Sequence, residues 1–323
     1  MTSGRRGPRR ILWLGVPLAL VALLTISPAG RAAAQAIADK LATCKRESAG
    51  GPQPRIAACT WIIDTAKDDE DLRIEAYLQR GVLYEQAGNR EAAIKDYSDV
   101  IALDSGNALA YFNRGNVHDQ QGEHDRAIAD YSQAIKIDAS DADVFNNRGQ
   151  SYDYKGEYAL AIADYTESIR LNPNNPGAFF NRGSAYDQLG EYDRAIADYT
   201  QSIKLDGTDA DVFNNRGQVY DIRGEYDLAI ADYDQAIRLN RDNARAFFNR
   251  GVAYANKDDH KRALSDFSEA IRLDPSDADA YQGRGLMHEE LGDEVAARAD
   301  YRKALEILPS HADAGEALAR LGN

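Results

Sequence analysis

The 323-residue sequence is poor in the side chains that most often carry chemistry, with two cysteines and five histidines. The histidines (His118, His124, His260, His288 and His311) are scattered, and no H-E-x-x-H, C-x-x-C or clustered carboxylate–histidine pattern occurs. A metal site is therefore not expected. No G-x-S-x-G turn or phosphate-cradling glycine loop appears either, so the sequence predicts neither catalytic residues nor a cofactor. Positive charge is also scarce: 38 Lys and Arg against 52 Asp and Glu leave a net charge of −14. Such a body repels phosphate backbones and anionic lipid surfaces, which excludes nucleic acid as an expected partner. With 44% hydrophobic residues there is enough apolar material for a packed core, so global disorder is excluded too.

Long apolar runs are missing as well. The run from Ile11 to Leu24 falls short of the roughly 20 residues that span a bilayer. It follows a segment rich in arginine and precedes Ala32-Ala33-Ala34, the order of parts in a secretory signal peptide. The expected signal covers residues 1–34, with cleavage after Ala34 and export to a periplasm or beyond. An uncleaved membrane anchor is the alternative, and no membrane insertion is expected after cleavage. Removing five arginines with this segment takes the net charge to −19.

Both cysteines, Cys44 and Cys59, fall in residues 35–73. In an exported chain two nearby cysteines imply a disulfide, and this one is expected to staple two short helices, Ala36 to Lys45 and Arg55 to Lys67. The redox-active alternative has neither C-x-x-C spacing nor a nearby histidine.

What the sequence has in abundance is repetition. Arg80, Arg114, Arg148, Arg182, Arg216, Arg250 and Arg284 recur every 34 residues, each followed by glycine. Counting units from Ile74 gives seven copies over residues 74–311. Position 4 is aromatic, position 8 glycine, position 11 Tyr or His, position 20 alanine and position 24 aromatic. Positions 4, 8 and 11 share one face of a first helix, and 20, 24 and 27 share one face of a second. Gly at 8 and Ala at 20 let two backbones approach while the aromatics fill the space around them. A further glycine at position 15 ends the first helix. Asp258 replaces it in the sixth unit, where a distorted turn is expected. Position 7 is always Arg and position 23 always Asp, which predicts a ladder of ion pairs between the two helices, since a buried Arg without a carboxylate is costly.

With this pattern the chain resembles the tetratricopeptide repeat family over about three quarters of its length. The resemblance implies an all-α, right-handed superhelix (an α-solenoid) of antiparallel helix pairs with a concave groove, closed by a capping helix in residues 312–323. It also implies protein or peptide partners. Arg at position 7, where the family commonly has Leu, is a departure.

By the same resemblance position 6 faces the groove, and here it holds Asn113, Asn147, Asn181, Asn215 and Asn249. An asparagine offers both donor and acceptor to any peptide unit. Around this column stand Phe112, Phe180 and Phe248 at position 5 and Asp153, Asp187 and Asp221 at position 12. Together they predict a preference for an extended segment with apolar and basic side chains. The family's clamp for acidic tails needs bases at positions 2, 5 and 6, where Arg245 is the sole one. Against the groove stands a packing role for the asparagines. The third and fifth units are more alike than the third and fourth, so the ladder also fits duplication of paired units. Three functions follow: a groove-binding scaffold, a self-assembling or membrane-complex component using convex or end surfaces, and a non-catalytic accessory of an envelope enzyme.

Overall fold

The computed structural model describes residues 27–45 and 51–322, which form seventeen helices joined by short turns. Residues 1–26, holding the basic segment and apolar run of the expected signal, lie outside the described residues. The chain divides into two compact units, one ending at Asp99 and the other beginning at Val100.

In the first unit, α1 (Pro28–Lys45) and α2 (Gln53–Thr65) form a hairpin that packs against α3 (Glu70–Gln86), and α4 (Arg90–Leu103) follows α3. α1 begins well before the expected Ala36 and runs through Ala32–Ala34; its alanine-rich sequence favours helix, and Pro28 fits a first turn that needs no N–H. No helix among the described residues is long and apolar enough to cross a membrane. The hairpin is closed by the Cys44–Cys59 disulfide, with 5.1 Å between Cα atoms, and both cysteines are fully buried among Ile56, Ala58, Ile62 and Leu83.

In the second unit, the first helices are α5 (Ala108–Gln120), α7 (Ala142–Tyr154), α9 (Pro176–Gln188), α11 (Ala210–Ile222), α13 (Ala244–Ala255) and α15 (Ala278–Glu290). Each pairs with the second helix that follows it: α6 (His124–Ile137), α8 (Tyr158–Leu171), α10 (Tyr192–Leu205), α12 (Tyr226–Leu239), α14 (His260–Leu273) and α16 (Glu294–Ile307). Every second helix also packs on the next first helix, which makes the unit an α-solenoid, and α17 (Ala312–Arg320) covers α16 at the end.

Local sequence sets these boundaries. Asn107, Asp141, Asn175, Asp209, Asn243 and Asp277 cap the first helices through their side chains. Each first helix ends in a left-handed residue, from Gly122 at φ 76° to Gly292 at φ 82°. Asp258 adopts the same conformation at φ 58° and makes the same turn bonds, so the expected distortion is absent. Aspartate is among the few side chains that tolerate this region.

Helices of 12 to 14 residues are marginal alone, so stability comes from packing between them. Tyr131, Tyr165, Tyr199, Tyr233 and Tyr301 are almost fully buried, each laid against the glycine of its own hairpin. A Cβ at Gly149 would stand 2.7 Å from Tyr165 Cε1, so only glycine admits the ring.

The Arg–Asp ladder is present in full. Arg148 Nε and Nη2 each reach Asp164 at 2.7 Å, and the other six arginines repeat this fork at 2.7–2.8 Å. In five hairpins the guanidinium lies between the rings at positions 4 and 11, as Arg148 does between Phe145 and Tyr152. Its remaining nitrogen reaches back to the preceding second helix: Arg148 to Ser132, Arg182 to Thr166 and Arg216 to Thr200. The same bond runs from Arg80 to Thr60 in the first unit. Thr60 thus stands where Ser132 stands, and Cys59 stands where Tyr131 stands. The α1–α2 hairpin thus receives the same arginine bond, and it carries a disulfide where the later hairpins set a tyrosine on a glycine.

Candidate functional site

The first helices of the second unit hold every residue of the expected groove, and the structure assigns those residues different tasks. Three of the five asparagine amides join neighbouring layers. Asn147 donates to Asn116 Oδ1 at 2.9 Å, Asn181 to Asn146 at 3.2 Å and Asn249 to Asn214 at 3.0 Å. Asn214 and Asn249 are buried, whereas Asn113 and Asn215 are half-buried in the same column.

Position 5 alternates for a physical reason. Phe112, Phe180 and Phe248 lean on the position-24 ring of their own hairpin, with centroids 5.6–6.0 Å apart. In the intervening units Asn146 and Asn214 occupy the position and accept the amide of the next layer. Paired units are therefore linked across their joint by an asparagine clasp. The one partner that stands at neither position 5 nor position 6 is Asn116. It stands three residues past Asn113 on α5, one helical turn along the same face, and that spacing was the available signal.

The position-12 carboxylates differ along the array. Asp119, at the start, accepts from His124 Nδ1 at 2.8 Å and from Ser151 at 2.8 Å. Glu289, at the end, accepts from Tyr301 at 2.9 Å and from Arg320 at 2.8 Å. Between them, Asp153, Asp187 and Asp221 are half-buried, and among the described residues none is paired with a lysine, arginine or histidine. Asp221 receives a bond from Asn256, but its Oδ1 is closed off from solvent without a hydrogen bond. Burial pushes all three carboxyls above the ordinary range.

A carboxyl with a raised folded pKa contributes stability that is complete below its unfolded value and is lost as pH rises through the folded one. At neutral pH the three aspartates therefore oppose folding. Asp153→Asn/Asp187→Asn/Asp221→Asn is expected to raise the melting temperature at pH 7, with a gain that shrinks as pH falls towards 4. A gain independent of pH in a melting series would show that packing, not charge, is responsible.

Among the described residues no group of His, Cys, Asp and Glu is arranged to hold a metal. His118, 8% exposed at a core aromatic position, bonds Glu123 at 2.7 Å instead.

Tetratricopeptide repeat models match residues 78–142 and 146–210, residues 198–231 and residues 250–322, and a TPR repeat model matches residues 222–258. The chain belongs to the tetratricopeptide repeat family. Proteins of this family are in general non-catalytic scaffolds that bind protein or peptide partners.

Among solved structures, the C-terminal part of a TPR repeat-containing protein from Cytophaga hutchinsonii is 21% identical, with a TM-score of 0.62 over 75% of this chain and 99% of its own. A tetratricopeptide repeat protein from Parabacteroides merdae is 20% identical, with a TM-score of 0.57 over 77% of this chain and 99% of its own. A chain of the Cut9–Hcn1 hetero-tetramer of the APC/C is 18% identical, with a TM-score of 0.59 over 92% of this chain and 57% of its own. These likenesses concern the fold. No curated protein matches the sequence.

Proposed function

We propose that this chain is an exported scaffold that docks an extended segment of a partner protein along the groove lined by α5, α7, α9, α11 and α13. The observation that carries this reading is a contrast between two faces. On the second helices many surface charges are paired locally, as in Arg170–Glu167, Arg194–Glu191 and Arg272–Glu269. On the first helices the half-buried carboxylates of Asp153, Asp187 and Asp221 have no such partners, and burial raises their pKa. A face that keeps groups in conflict with folding is suited to a partner that resolves the conflict.

Phe112, Phe180 and Phe248 supply apolar surface beside these carboxylates, and Asn113 and Asn215 supply amides for peptide groups. Asn147, Asn181 and Asn249 support the groove by holding its layers together. Export is supported by the basic and apolar order of the N-terminus, and a structural disulfide suits an oxidising compartment.

Photo-cross-linking residues placed at Gln150 on the first-helix face and at exposed Ala163 on the second-helix face test the docking. Capture in the envelope fraction from Gln150 alone is expected. Capture from Ala163 alone would move the partner to the other face and sink the groove reading. The intact mass of the recovered protein shows whether cleavage after Ala34 has occurred.

A further inference from the structure

We propose that the groove reads a cationic segment in the polyproline II conformation, with lysine or arginine at every third residue, one for each of Asp153, Asp187 and Asp221. This deepens the docking reading and rests on it. Successive first helices place these three carboxylates at the same position of α7, α9 and α11, so they form a row with one member per layer. The first helices of successive layers touch directly along this face, as Asn181 bonds Asn146 across α9 and α7, and helices in contact stand ~8–10 Å apart, which sets the spacing of the row. An extended strand alternates its side chains and presents one face every ~6.6 Å, out of step with that spacing. A polyproline II segment repeats every three residues at ~3.1 Å each, or ~9 Å, and keeps residues i, i+3 and i+6 on one side.

A second observation, independent of the acidic row, points to an occupant. Tyr131 and Tyr301 give their hydroxyls to Asn116 and Glu289. The hydroxyl of Tyr165 is closed off from solvent, on a fully buried side chain, and has no hydrogen-bond partner. Burial holds the phenol in its neutral form, and the charge of Asp153 adds to this. A buried donor left unbonded is costly. When an ammonium group draws the Asp153 carboxylate into place, that hydroxyl is there to donate to it. The charges therefore complement a cation at the middle of the array, whereas Asp119 and Glu289 at its two ends are already engaged with His124 and Arg320.

The test uses fluorescein-labelled (Pro-Pro-Lys)4, (Pro-Pro-Glu)4 and a peptide of the first composition with its four lysines adjacent. Binding to the purified full chain is followed by anisotropy at low salt. (Pro-Pro-Lys)4 is expected to bind, (Pro-Pro-Glu)4 to stay free, and the clustered peptide to bind about tenfold more weakly. Asp153→Asn/Asp187→Asn/Asp221→Asn is expected to weaken (Pro-Pro-Lys)4 by at least about tenfold. The control is Asp125→Asn/Asp193→Asn/Asp227→Asn, which makes the same charge change at exposed side chains of the second helices. It is expected to leave binding unchanged.

Equal weakening by both triple variants would report diffuse charge and overturn the assignment. Equal binding of the clustered peptide would overturn the spacing, and absence of any binding would overturn the cationic partner. In each case capture from Gln150 leaves groove docking standing. That reading fails separately, through capture from Ala163 alone.

Discussion

Replacing Arg148 by leucine is expected to destabilise the protein by about 3–5 kcal/mol, the usual loss when one partner of a buried ion pair is removed. Asp164 is 6% exposed and takes two 2.7 Å bonds from Arg148, so the variant leaves a carboxylate with neither water nor a cation. Ser132 loses its donor at the same time, and Phe145 and Tyr152 lose the cation between their rings. Arg148→Leu/Asp164→Leu removes the stranded charge and is expected to recover most of that loss, because well-packed apolar residues replace buried pairs at little cost. Thermal melts of the two variants decide it. Equal losses would mean that the pair contributes through its shape and its bond to Ser132 rather than through charge compensation.

The second large effect is expected at the disulfide. Cys44→Ser/Cys59→Ser opens a loop of fifteen residues, worth about 3 kcal/mol in the loop-entropy model. The cost falls on α1 and α2 because their core has no tyrosine to take over. Cys59 stands at the aromatic position, and the neighbouring buried side chains are small or aliphatic. Hydrogen exchange is expected to show lost amide protection across Ala36–Lys45 and Gln53–Thr65. Unchanged protection there would show that packing against α3 is sufficient to hold the hairpin.

Much of this fold was legible before any coordinates. A period of 34 residues with Gly at 8, Ala at 20 and aromatics at 4 and 24 leaves few ways to bury those side chains, and the Gly149–Tyr165 contact is the one the spacing implies. The Arg–Asp ladder was legible because an invariant buried charge calls for an equally invariant counter-charge. The candidate site was legible only in outline. Asparagine presents the same donors to a ligand and to a neighbouring layer, so position 6 alone could not assign its own task. The answer depended on Asn116, Asn146 and Asn214, which lie 31 or 35 residues away in sequence. The conflict at Asp153, Asp187 and Asp221 was likewise invisible, because it arises from burial and from partners that are missing rather than from residue type. The turn at Asp258 was misjudged because its geometry is set by the hydrogen bonds around it, and aspartate tolerates what they demand.

The asparagine clasp has a consequence for how such a chain can change length. Layers three and four share one clasp and layers five and six another, while Asn147 and Asn116 join layers two and three in a different way. Losing a single layer would bring together surfaces that never meet in the present molecule. Losing residues 142–209 would not, because Ala210 to Gly217 has the same sequence as Ala142 to Gly149 and would meet the second layer as that segment does now. The length of the solenoid is thus adjustable in steps of two layers, and the chain carries within its own joints the rule for being shortened or extended.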